Sequence, residues 1–197
     1  MKKIFSLLLL GLFTLGFSQY TLPAESPRAT LTQQFSLSSI TIDYGKPGVK
    51  GRKVFGELVP YGKVWRAGAN SSTKITFKEK VLFGGAEVPS GTYGLFAIPE
   101  KDQWTLILSK DSQSWGTQYD EAKDFLRVNA GAKQLSSKVE WYNMELIPQS
   151  PFQTHLVISW ENTEVSVPIE VFDQNKTKQI QEKLTEIRTI ERAPSKK

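Results

Sequence analysis

Between Val59 and Asn70 the chain reads VPYGKVWRAGAN, which puts two aromatic rings, two cations and a side-chain amide into twelve residues. These are groups that bind rather than react. The flat faces of Tyr61 and Trp65 suit the apolar side of a sugar ring, and the Arg66 guanidinium can fork onto a pair of oxygens. Lys63 adds a point charge and Asn70 an amide. The stretch has neither the period of a helix nor that of a strand, so it reads as a structured loop that a scaffold must hold still. Gly62 and Gly68 permit backbone turns inside it. A second irregular stretch, from Ser114 to Phe125, contributes Trp115 and Tyr119. The predicted ligand-binding constellation is therefore Tyr61, Lys63, Trp65, Arg66, Asn70, Trp115 and Tyr119. A competing reading makes Trp65 a plug at the end of the core, with Arg66 stacked on an aromatic or tied to Glu57 or Glu87.

Chemistry that needs other residue types is poorly served. The chain has no cysteine, which removes thiol nucleophiles and thiolate metal sites. Its one histidine, His155, falls on the outward phase of a strand pattern, with nothing resembling a nucleophile elbow beside it. A histidine zinc site is out of reach, and no D-x-D-x-D-G calcium loop occurs, so neither a metal nor a cofactor is expected. The S-x-x-K match at Ser71–Lys74 runs into a strand instead of opening a helix, and its S-D-N and K-T-G partners are missing. Asp43, Glu57, Glu87, Asp120 and Glu121 could supply paired carboxylates, which with Tyr61, Lys63 or Arg66 would make a hydrolase or lyase the enzymatic alternative. Asn70-Ser-Ser and Asn175-Lys-Thr match the N-glycosylation pattern, a three-residue match common by accident.

The elements that must position these residues show mainly period-two alternation, the mark of half-buried strands. Inward phases are Ile40, Ile42 and Tyr44; Ile75 and Phe77; Trp104, Leu106 and Leu108. The cleanest pair is Leu156, Ile158 and Trp160 followed by Val165, Val167, Ile169 and Val171, with Glu161-Asn162-Thr163 as the turn. Pro168 suits an edge strand, since proline cannot donate to a ladder. Val88-Pro89-Ser90-Gly91-Thr92 reads as a three-residue hairpin loop, Pro99–Asp102 as another turn, and Gly84-Gly85 as a break. Together these predict an all-β fold: an antiparallel sandwich or barrel-like domain of about eight to ten strands over 26–172. Thr117 could cap a short surface helix. Asp173 or Asn175 could cap a C-terminal helix carrying Ile180, Leu184 and Ile187 on one face, ended by Pro194 and followed by a basic tail to 197. That helix either lies across the sheet or docks a protein partner.

The first eighteen residues have the anatomy of a secretory signal peptide. Lys2 and Lys3 precede an apolar run from Ile4 to Phe17, and small residues place cleavage after Ser18. The run is shorter than the ~20 residues a membrane-spanning helix needs. The mature chain, with a short tail at 19–25, is expected to be soluble, without a transmembrane segment, and periplasmic or extracellular. Lacking cysteine, it cannot be a lipoprotein or rely on disulfides. Loss of Lys2 and Lys3 lowers the formal charge from +5 to +3, spread over mixed signs, which excludes a nucleic-acid footprint.

The ordered motifs VPYGKVWRAGANSST, GGAEVPSGTYGLFAIP, WTLILSK and SWG resemble the hallmarks of an exported bacterial family catalogued as domain-of-unknown-function family 2911. The resemblance runs from about Ser26 to Val171, with Ala67 where threonine is usual. It implies an exported, β-rich domain and brings no activity with it. The resulting expectation is an exported, non-enzymatic binding module for a glycan, a cell-envelope component or a small polar ligand. The alternatives are the carboxylate hydrolase or lyase above and an envelope structural or assembly protein.

Overall fold

The structure, a computed structural model, describes residues 22–115 and 118–192. Residues 1–18, whose sequence predicts a signal peptide, as well as Thr117 and Pro194, lie outside the described residues.

Nine antiparallel strands form one sheet, as the alternation predicts. They are β1 (Arg28–Phe35), β2 (Ser38–Gly45), β3 (Thr73–Phe77), β4 (Val81–Phe83), β5 (Ala86–Val88), β6 (Gly91–Pro99), β7 (Gln103–Ser109), β8 (Asp124–Ser150) and β9 (Gln153–Val171), in the order β1-β2-β3-β6-β7-β8-β9-β4-β5. Every inward residue named above is buried, and together they make one core. The sheet curls without closing into a barrel. At one end Gly48 bridges to Trp141, and the Met144 N–H donates to the Tyr44 hydroxyl at 3.1 Å. Beyond Tyr44 a groove of about 580 Å³ separates Ala29 and Leu31 on β1 from Leu146 and Pro148 on β8.

β9 is continuous in its pairing yet doubles back on itself. His155 Nδ1 lies 3.0 Å from Ser166 Oγ, and the Val171 N–H donates to Phe152 O at 2.9 Å. Eleven residues of straight strand would hold His155 and Ser166 ~36 Å apart. The reversal falls at Glu161, whose left-handed φ of 54° no ordinary strand residue adopts. The expected turn is therefore present, with its tip at the first of the three residues named. β8 wraps this tip: from Gln134 to Asn143 it advances nine positions while β9 advances four, from Thr163 to Ser159.

Four local expectations need correction. Val88–Thr92 is not a hairpin loop, because β5 pairs with β4 while β6 pairs with β3 and β7. Turn residues show where a chain bends, and the partner is chosen by long-range packing. Pro168 is not on an edge strand; it stands one residue beyond the last pair between β4 and β9, Phe83 with Ile169, and its carbonyl accepts the Gly84 N–H at 2.9 Å. The short surface helix is a single 3-10 turn, Glu121–Lys123, capped by Asp120, whose Oδ1 accepts the Ala122 N–H. The C-terminal helix α1 (Gln174–Arg192) is capped by Asp173, which accepts the Lys176 N–H at 2.9 Å, but it does not lie across the sheet. Thr177 is its buried residue, whereas Ile180, Leu184, Ile187 and Ile190 are exposed by 39 to 75%. Four well-spaced apolar residues make too narrow a stripe to seat a helix along its length. Among the described residues no helix is long and apolar enough to cross a membrane.

Candidate functional site

The irregular segment between β2 and β3 covers one end of the curled sheet. Its anchor is Trp65, whose backbone exchanges two hydrogen bonds with Ala97 on β6, at 2.7 and 2.8 Å. The Trp65 indole meets Phe55, Trp104 and Tyr142 edge to face, with centroids 5.1 to 6.3 Å apart, and lies nearly parallel to Trp160 at 5.9 Å. Its N–H donates to Gly68 O at 3.1 Å. Edge-to-face pairs of this kind add to the stability from burial alone. The plug reading of Trp65 is thus correct as far as the core is concerned.

Immediately after the indole the chain turns sharply. Ala67 and Asn70 take left-handed φ values of 47° and 63°, and the Thr73 hydroxyl holds Ala67 O at 2.7 Å. The turn packs so closely on β2 that a Cβ at Gly45 would come within 2.2 Å of Ala69 O. Arg66 is half-buried, and among the described residues no carboxylate or carbonyl comes within bonding distance of its guanidinium. Its Nε is buried without a partner. The two acids suggested for it are engaged elsewhere, Glu57 with Lys53 at 3.5 Å and Glu87 with Lys80 at 2.6 Å. Burial alone pushes the guanidinium below its usual range, which still leaves it charged at neutral pH.

Arg66, Trp65 and Asn70 line one cavity of about 280 Å³, whose wall also includes Trp160, Lys50 and Arg52. Trp160 carries a second buried donor without a partner, its indole N–H. Arg52 donates to Gly48 O at 2.7 Å and to Val49 O at 3.1 Å, while Lys50 reaches Glu25 at 3.3 Å. Asn70 donates to Ser26 O at 3.3 Å, tying the segment before β1 to the rim.

The remaining predicted residues lie elsewhere. Lys63 is exposed, and Tyr61 packs on the core beside Gly56. Trp115 is 59% exposed. Tyr119 lines a separate, shallower cavity of about 360 Å³ with Asp111, Ser114 and Lys123. Its ring rests on Phe96, its hydroxyl donates to Asp124 Oδ2 at 2.7 Å, and Arg127 donates to it at 2.9 Å. Burial, followed by the hydrogen bond to the Asp124 carboxylate, pushes the Tyr119 hydroxyl up to about 12. The structure therefore brings together three of the seven predicted residues. Sequence reading missed Trp160, Lys50 and Arg52. Trp160 looked like one more strand residue, and the only hint of the others was the basic run KGRK at 50–53.

The candidate acids do not gather. Asp43 binds Arg28 at 2.7 Å, Glu121 binds Arg127 at 2.9 Å and Asp120 caps a turn. The carboxylate on the Arg66 cavity is Glu25, with a side chain 91% exposed. No group of three or more metal-ligating side chains occurs among the described residues.

No curated protein and no solved structure matches the chain. A family model described as "Protein of unknown function (DUF2911)" matches residues 26–169, from the rim of the cavity at Ser26 through almost all of the sheet, leaving out α1. Since that span is well over half of the sequence, the chain belongs to the DUF2911 family.

Proposed function

We propose that the protein is an exported, non-enzymatic binding module that holds a small polar ligand, such as a glycan or a cell-envelope component, in the cavity at Arg66. The observation that carries this reading is a half-buried guanidinium without a partner among the described residues, set in a cavity against an aromatic wall. Desolvating a charge is costly unless something compensates it, and a ligand is the compensation this cavity lacks. Export rests on the anatomy of residues 1–18. The enzymatic alternative needs two converging carboxyl groups, and this cavity has the single exposed Glu25.

The test is a thermal-shift screen of residues 19–197 against glycans, peptidoglycan fragments, amino acids and nucleotides, with Arg66→Ala alongside. A ligand at a hundred times its Kd adds about 2.7 kcal/mol. Arg66→Ala should melt within about 0.5 kcal/mol of wild type, because it breaks no hydrogen bond or ion pair among the described residues, and should lose the shift. A variant that melts far lower, with no ligand response in wild type, would make the loop a structural plug alone. Fractionation with N-terminal sequencing checks export, expecting a mature chain that starts at Gln19.

A further inference from the structure

The polar groups on the Arg66 cavity are unequal in kind, and that inequality specifies a ligand class. Two residues of its wall, Arg66 and Trp160, each carry a buried N–H without an acceptor among the described residues. Three cations, Lys50, Arg52 and Arg66, stand against one acid, Glu25. A ligand that completes this cavity must bring negative charge and acceptors, because its wall carries three cationic donors and one carboxylate.

The charge count narrows the class further. Arg52 is committed to two backbone carbonyls and Lys50 to Glu25, so Arg66 is the uncommitted cation. One free guanidinium matches one negative charge, and its planar fork suits two coplanar oxygens better than a tetrahedral group. The chain supplies an internal precedent: the Glu25 carboxylate already rests on Lys50 at the rim, exposed enough to move aside. Size sets the last limit. At ~30 Å³ per water, 280 Å³ has room for about nine non-hydrogen atoms.

Resting on the binding reading above, we infer that the group recognised is a carboxylate of a small monoanionic ligand, paired with Arg66 and flanked by the Trp65 and Trp160 indoles. Glu25 places a like charge at the rim of the same cavity, so its removal tightens binding.

The test compares probes matched in shape and differing in charge: N-acetyl-D-alanine against its amide, and D-lactate against its amide, with inorganic phosphate as the tetrahedral anion. The full mature chain is titrated with each probe up to about 10 mM, above typical weak-site affinities, while the indole N–H resonances are followed by NMR. The expected result is that at least one acid shifts the Trp65 and Trp160 resonances with at least tenfold higher affinity than its neutral partner. Arg66→Gln should abolish this difference and Glu25→Gln should increase affinity for the acid. Equal, Arg66-dependent binding of acid and neutral partner would overturn the carboxylate and leave the cavity as a binding site. Tighter binding of phosphate would replace it by a tetrahedral anion. No Arg66-dependent binding by any probe or any ligand of the thermal screen would remove both readings.

Discussion

Trp65 and Arg66 are neighbours in sequence and opposites in environment. The first contributes its indole to the core, and the second keeps a charge at the cavity with no partner among the described residues. Both were legible as residue types, because aromatic and guanidinium groups in an aperiodic stretch have few uses. Their different fates were not, because they depend on the left-handed turn at Ala67 and on Trp160, almost a hundred residues away. Tyr119 gives a pH prediction at the same scale. Its hydroxyl, pushed up to about 12 from the ordinary 10, holds its proton more tightly in the fold than in the unfolded chain. The stability this contributes is fully present below pH 10 and is lost as pH rises from 10 through about 12. Denaturation followed across that window should therefore show a steeper fall for wild type than for Tyr119→Phe. Equal slopes would mean that the burial of the hydroxyl and its bond to Asp124 are not maintained in solution.

At the scale of elements, local chemistry and local structure agree where a single residue controls the outcome. Asp173 caps α1 through the Lys176 N–H, as its position before the helical pattern suggests. Asp173→Ala should cost the helix about 1 kcal/mol. Because Thr177 is the buried residue of α1, the loss should appear in far-ultraviolet circular dichroism at the helix band and leave the near-ultraviolet tryptophan signal unchanged. A matching loss of tryptophan signal would show that the helix and the sheet are coupled. Gly84-Gly85 likewise closes the hairpin between β4 and β5 with φ values of 57° and 84°, the conformation such a turn requires. The Pro89–Gly91 turn has equally strong local chemistry, yet it joins strands that do not pair. Proline and glycine shape a bend, and hydrogen bonding between distant strands decides what the bend connects.

Across the whole molecule, stability resides in the curled sheet and its aromatic centre, where Trp104, Tyr142 and Trp160 are at most 1% exposed. A chain of residues 19–172 should accordingly keep the unfolding free energy of residues 19–197, read from urea titration, to within about 0.5 kcal/mol, since removing α1 uncovers little apolar surface. A larger drop would show that the exposed stripe of α1 is covered in solution. The strands, their inward phases and most turns follow from the sequence alone, because a period of two and the φ requirements of glycine and proline are local properties. Family membership also follows from it, through motifs that need no folding to be recognised. The partner of β5, the wrapping of β8 around the tip of β9 and the exposure of α1 were decided by tertiary structure. So was the cavity, because it joins Lys50, Arg66 and Trp160 across spans that only the curl of the sheet makes short. A cavity is a property of surfaces brought together, and no single stretch of chain encodes it.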